Sequence, residues 1–248
     1  MSKEKWHTRL FDDLNQYWEE ISDSRDTSKE VEFIHRVTKT KGLVLDLCCG
    51  TGRHASALST KGWKIVGFDI SPNLLRIAKK RMKSQYSYPL VRGDMQHLPF
   101  KTKAFTAAIS MFTSFGYLPS ESQDLNSLKE VARTLNEGSH FLLDVANRDH
   151  LYRVFQKEDW GEFPSFYMME KRTLEPDGSR LHSRWTLVDK RDKAQRVFNH
   201  DLRLYSRSQL QKLLQKSGLK TEKIYGDYDG QEFRKDSSRL IVLAKRES

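Results

Sequence analysis

This 248-residue sequence is poor in the residues that mark several protein classes. Its two cysteines, adjacent at Cys48 and Cys49, cannot build a disulfide framework, so a reducing, cytoplasmic compartment is expected. No His or Cys stands at ligand spacing from them, which predicts small apolar fillers and no metal site. Thirteen Gly and six Pro exclude a collagen-like or linker-dominated chain. No stretch approaches the roughly 18–20 apolar residues of a membrane span, and no membrane role is expected. The start, Met1-Ser2-Lys3-Glu4-Lys5-Trp6-His7, has no apolar segment of the secretory kind. What is present suits a globular protein of one or two domains. Hydrophobic residues make up 37%, with 13 Phe, 9 Tyr and 5 Trp to fill a core. The formal charge of +10 admits an acidic partner such as nucleic acid without requiring one.

Residues 1–40 read as a helical cap. Trp6, Leu10, Phe11, Leu14, Tyr17, Trp18 and Ile21 recur at three- and four-residue spacings, and Val31, Ile34 and Val37 continue after a polar break. Short apolar runs then alternate with helical segments. Leu43–Leu47, Lys64–Phe68, Tyr88–Arg92, Phe105–Ser110 and His140–Val145 read as strands. Helices are expected from Arg53 to Lys61, from Ser71-Pro72 to about Lys83, and from Leu125 to Leu135, closed by Asn136-Glu137-Gly138. Such alternation implies βαβ units, and unbroken apolar strands imply a parallel sheet covered on both faces. Past residue 155 the pattern changes to period two. Three or so antiparallel strands are expected across 155–204, with a hairpin at Glu175-Pro176-Asp177-Gly178. A helix capped by Ser206 and two strands, near Thr221–Tyr228 and Leu240–Ala244, complete the chain.

The segment from Leu45 to Ala55 carries the chemistry. Its turn, Gly50-Thr51-Gly52 between strand and helix, lets a ligand approach the backbone closely. Read as Gly50-x-Gly52-x-x-Ala55, it also fits the loose dinucleotide fingerprint. Asp46, at the end of the first strand, would repel a phosphate and favour an amino-bearing ligand. Asp69, at the end of the second, can accept both hydroxyls of a ribose. Asp94, at the end of the third, could accept from an adenine amino group. Three acids at successive strand ends, with no added phosphate-binding cation, describe an adenosyl ligand without phosphates.

On these residues the chain resembles the class I S-adenosylmethionine-dependent methyltransferases, over about residues 30–150 and 205–246. Val44-Leu45-Asp46-Leu47-Cys48-Cys49-Gly50-Thr51-Gly52 is similar to that family's glycine motif and Asp69-Ile70 to its ribose-binding position. Gly93-Asp94-Met95 is similar to its adenine-contacting segment and Ile109–Ser114 to the segment flanking cofactor and acceptor. The resemblance implies a Rossmann-like, seven-stranded, mostly parallel sheet with an antiparallel last strand, split as 41–154 and 205–248 around the β insertion. It implies S-adenosylmethionine as cofactor, held by Asp46, Cys48, Gly50, Thr51, Gly52, Asp69, Ile70, Asp94, Met95 and Met111. Met111–Pro119 and Leu143–Arg148 look like small-molecule N-methyltransferases of the glycine and amino-sugar kind. Ala146 stands where the glycine enzymes carry a carboxylate-binding arginine, with Arg148 two residues on.

The expected activity is therefore methyl transfer to a small-molecule acceptor, most naturally at nitrogen, with the insertion covering the acceptor. Tyr17, Tyr117 and Arg148 are the candidates to position it, together with His150. His54 and His150 otherwise read as helix-surface residues. An RNA or protein acceptor is the alternative. Its support is the basic run Arg76, Lys79, Lys80, Arg81 and Lys83 and an excess from Lys190 onward of fifteen Lys and Arg over eight Asp and Glu. No accessory RNA-binding motif accompanies that charge. A protein that binds the cofactor without turnover is the third reading.

Overall fold

The computed structural model describes residues 6–247, apart from the side chains of residues 6–8 and 16. The segment Met1–Lys5 and the Trp6 side chain of the first apolar stripe thus lie outside the described residues. The sheet order is β3-β2-β1-β4-β5-β11-β10, from strands β1 (Leu43–Leu47), β2 (Lys64–Asp69), β3 (Leu90–Arg92), β4 (Phe105–Ser110), β5 (Leu135–Ala146), β10 (Leu219–Tyr225) and β11 (Arg239–Arg246). All neighbours pair parallel except those of β11, which is antiparallel to both β5 and β10. The strand order reverses between β1 and β4. At such a switch point the connections leave in opposite directions and open a crevice at the strand C-termini.

Both faces of this sheet are covered, as its apolar strands require. One face packs on α5 (Glu121–Thr134) and α7 (Arg207–Lys216), through Leu128, Val131, Leu210, Leu213 and Leu214. The other packs on α2 (Thr27–Thr38) and α3 (Arg53–Thr60), through Val31, Phe33, Ile34, Ala55 and Leu58. Helix α4 (Pro72–Arg81) begins as expected, with the Ser71 hydroxyl accepting from Leu74 N–H and proline in the first turn. Helix α5 starts four residues before the expected Leu125. Its signal is the capping box Ser120/Gln123, which precedes the apolar stripe. At its other end Asn136-Glu137-Gly138 form the start of β5, because Leu135 already pairs with Phe105.

The insertion forms a second sheet of four strands rather than three: β6 (Glu158–Glu162), β7 (Phe166–Leu174), β8 (Arg180–Asp189) and β9 (Gln195–Arg203). Strand β6 is a short exposed edge, and its acidic sequence shows no apolar alternation. Helix α6 (Arg148–Arg153) links β5 to it.

Helix α1 (Trp6–Asp23) is held between the two sheets. It is broken at Asn15, whose φ of 39° and ψ of −114° leave the helical region. Asp12 accepts from the Ser71 hydroxyl at 2.5 Å, and Arg81 pairs with Glu19 and Asp23, fixing α1 to α4. Arg81, a member of the basic run, is thus a tie between helices. On its other side α1 packs Leu10, Leu14, Tyr17 and Ile21 against Phe166, Leu187 and Phe198 of the insertion.

Candidate functional site

The glycine loop leaves β1 through positive φ at Cys48 (59°), Gly50 (54°) and Gly52 (72°). At Gly52 a Cβ would stand 2.6 Å from the Tyr88 hydroxyl and 2.8 Å from the Ala78 Cβ, so the close packing of the start of α3 on α4 requires glycine there. The loop is locked to β2: Cys49 N–H donates to the Phe68 carbonyl at 3.0 Å, and Gly50 N–H to Asp69 Oδ2 at 2.8 Å. Asp69 Oδ1 accepts from Ser71 N–H at 2.9 Å. Asp69 thereby shapes the loop and the start of α4 together. Burial raises its carboxyl above the usual range, against the lowering effect of these N–H donors. Each of its oxygens can still accept a further hydrogen bond.

Asp46 is buried at the end of β1. Burial, opposed by Arg53 and reinforced by Asp69, pushes its carboxyl up to about 7. Its Oδ2 has no hydrogen-bond partner, and neither does Nη2 of Arg53, the first residue of α3. Arg53 is otherwise engaged with Glu30, which also takes His54 at 2.6 Å. His54 is therefore an interior residue, corrected from the expected helix surface: α2 lies over it and Glu30 supplies its partner. Burial lowers its pKa.

A cavity of about 680 Å³, counting the space at its mouth that is open to solvent, lies at the switch point. Of the expected cofactor residues, Cys48, Gly50, Asp69, Ile70, Asp94 and Met95 form its wall. Asp94 there accepts from Gln96 N–H at 3.0 Å. Asp46, Thr51, Gly52 and Met111 stand behind the wall. Thr51 bonds Ser22 of α1 through the two hydroxyls, and Met111 packs into the core on the α2–α3 face. Among the described residues, the wall holds no Lys, Arg or His.

Tyr117 is in the wall. The other two acceptor candidates are not, which corrects their expected placement. Tyr17 donates to Asp189 at 3.1 Å and receives Arg196 at 2.6 Å, because its face of α1 meets the insertion sheet and not the cavity. Arg148 turns to α7, donating to Gln209 at 3.1 Å, and pairs with Asp149. His150 borders a separate hollow beneath α6.

Two aromatic residues of the α1 stripe, Phe11 and Trp18, complete the wall, so this stripe serves the cavity as well as the core. The Phe11 ring lies 5.4 Å from both Trp18 and Tyr117, edge to face. Opposite them is the turn after β4, where Phe112 and Thr113 both take positive φ (58° and 59°), a strained state for non-glycine residues. Buried Asp144 at the end of β5 holds that turn. Its Oδ2 accepts from Phe112 N–H at 2.8 Å and Tyr228 O–H at 2.7 Å, and its Oδ1 from Arg239 at 2.8 Å. Arg239 also reaches the Thr113 hydroxyl. Arg25 and Arg53 lie over the Phe112 ring, 4.9 and 5.3 Å from its centre.

The family described as "Methyltransferase domain" matches residues 44–138, from β1 to the start of β5. The Bacillus subtilis (strain 168) protein YqeM is 21% identical over 245 residues, 96% of this chain and 97% of its own. A solved S-adenosylmethionine-dependent methyltransferase from Clostridium acetobutylicum ATCC 824 superposes with TM-score 0.81 at 21% identity, covering 94% of this chain and 96% of that one. The sugar N-methyltransferase KedS8 from Streptoalloteichus sp ATCC 53650 superposes with TM-score 0.73 at 19% identity, over 95% and 94%. Residues 44–138 thus match the methyltransferase-domain family, and the fold of the whole chain is that of the solved S-adenosylmethionine-dependent methyltransferases.

Proposed function

We propose that this protein methylates a small-molecule acceptor at nitrogen, with S-adenosylmethionine as donor. The observation that carries the reading is the polarity of the switch-point crevice. Asp69 and Asp94 are in a wall without a cationic side chain among the described residues, which suits an adenosine and not a pyrophosphate. Behind it, the unpartnered Asp46 Oδ2 and Arg53 Nη2 form an acid–base pair suited to the amino and carboxylate groups of an amino acid. Asp69 would take the ribose hydroxyls, Asp94 the adenine edge, and Asp46 with Arg53 the methionine end. When bound, the donor supplies an already activated methyl on a sulfonium.

The chain's own work is then to orient and to exclude water. Phe11, Trp18, Phe112 and Tyr117 wall off the acceptor side with aromatic surface. The Asp144–Arg239–Tyr228 cluster holds Phe112 and Thr113 in their strained turn against the cavity. A neutral amine brings its own lone pair, so no protein base is required. Of the three acceptor-positioning candidates Tyr117 is retained, because it stands in the wall. The fold likeness to KedS8, named a sugar N-methyltransferase, supports nitrogen as the acceptor atom.

The test is thermal unfolding with and without S-adenosylhomocysteine, on the native sequence and Asp69→Ala. A shift that the substitution abolishes is expected. No shift at millimolar ligand would sink the cofactor assignment. An amine panel read by S-adenosylhomocysteine release then tests the acceptor class. Turnover of oxygen or carbon acceptors alone would overturn the nitrogen reading.

A further inference from the structure

On the inner face of the insertion sheet, Ser183 of β8 and His200 of β9 are direct cross-strand partners. Both are more than nine-tenths buried, at 4% and 6% exposure. Ser183 Oγ and His200 Nδ1 nevertheless have no hydrogen-bond partner. Buried polar atoms are nearly always hydrogen-bonded, so two left unpaired side by side are a recurrent sign of a missing ligand group. The pair lies one ring behind the cavity. The His200 ring is 6.2 Å from that of Tyr117 and 4.5 Å from that of Trp185, and Trp185 stacks on Trp18 at 6.3 Å. Tyr117 and Trp18 both belong to the cavity wall, with Phe11 bridging them from the part of α1 that precedes the break at Asn15.

We propose that Ser183 and His200 form the distal subsite of the acceptor and receive one of its hydroxyl groups, so that the substrate is a hydroxylated amine. This rests on the reading of the cavity as a methyl-transfer site. A hydroxyl donates and accepts at once, so it satisfies Ser183 Oγ and His200 Nδ1 whichever imidazole tautomer is present. Burial holds the imidazole at about 4, opposed only by Asp201, so it is neutral near pH 7. A neutral imidazole has no charge with which to bind a carboxylate or phosphate. The other charged groups facing this region are Glu170, which accepts from Trp185 Nε1 at 2.8 Å, and Arg172, which pairs with Glu170 and Asp159. Arg172 is thus already occupied, and Glu170 would repel an anion.

The experiment uses the full chain saturated with S-adenosylhomocysteine and labelled with ¹⁵N-histidine. It is titrated separately with D-glucosamine, trans-2-aminocyclohexanol and cyclohexylamine. The expected result is movement of the His200 ring resonances with at least one hydroxylated amine and none with cyclohexylamine. Ser183→Ala should weaken that response about tenfold, and His200→Phe should weaken binding of the same amine similarly. His200→Asn, whose amide oxygen can stand in for Nδ1, should recover much of it. Silence of the His200 resonances toward all three amines overturns the subsite, as does equal movement with cyclohexylamine. A His200–Ser183 hydrogen bond seen as a through-bond coupling that persists when amine binds does the same. Failure of S-adenosylhomocysteine to stabilise the native sequence would instead condemn the cofactor reading, which keeps the two failures apart. Retained cofactor stabilisation in His200→Phe shows that the variant folds.

Discussion

Asp46→Asn separates what this fold needs from what its site needs. In the folded protein the carboxyl is held at about 7, against an ordinary 3.8, chiefly by burial. Below about pH 4 it is protonated in folded and unfolded chains alike, and burial carries no ionic penalty. Between about 4 and 7 the unfolded chain has released the proton and the folded chain still holds it, so stability falls as pH rises. Above 7 the folded state carries the whole penalty, about 4 kcal/mol at most. Asparagine removes that penalty. Its amide NH₂ takes the place of the unpartnered Oδ2 and carries a burial cost of its own, about 1–3 kcal/mol. The expected net effect is a variant about 1–3 kcal/mol more stable than the native sequence at pH 8, and equally or less stable at pH 4. Urea unfolding at the two pH values measures this. Binding should move the other way, with S-adenosylhomocysteine affinity falling about 10–100-fold at pH 8 as the charge opposite its amino group is lost. Parallel stability profiles across pH, or unchanged affinity, would refute the assignment of Asp46 as an ionisable group kept for the ligand.

Three further outcomes are expected. Gly52→Ala places a Cβ 2.6 Å from the Tyr88 hydroxyl at φ 72° and should destabilise by about 2–4 kcal/mol in chemical denaturation; a loss under about 1 kcal/mol would show that the contact of the start of α3 with α4 and Tyr88 yields easily. Asp144→Ala strips Arg239, Tyr228 and Phe112 N–H of their shared acceptor and should destabilise by about 3–5 kcal/mol. Adding Arg239→Met to it should recover part of that loss, and simple additivity would contradict the cluster. Tyr117→Phe keeps the ring contact with Phe11 and should leave the S-adenosylhomocysteine thermal shift intact while lowering turnover of the best panel amine about tenfold, close to 1.4 kcal/mol. An unchanged rate would leave Tyr117 as wall only.

Local sequence determined the supersecondary units and the shape of the glycine loop beside the cavity. Runs such as Leu43–Leu47 and Phe105–Ser110 declare buried parallel strands because both of their faces must be apolar. Gly50 and Gly52 declare a left-handed loop because few other residues adopt it without strain, and Asp69 declares itself by standing at a strand end one βα unit later. These signals sit within a few residues of one another, so no tertiary knowledge is needed to read them. Tertiary structure alone decided the rest. Asp144 and Arg239 are 95 residues apart and meet because β11 lies antiparallel beside β5. Tyr17 and Trp18 are adjacent in sequence, yet the helix turns one toward the insertion and the other into the cavity. Arg148 follows the end of β5, where an anion-binding role was plausible, but the first turn of α6 aims it at α7. Ser183 and His200 gave no signal in the chain, since what marks them is a pair of unsatisfied atoms created by burial under another element. A pattern of residue types records which faces are buried. Which side chains converge on one cavity depends on how those faces pack.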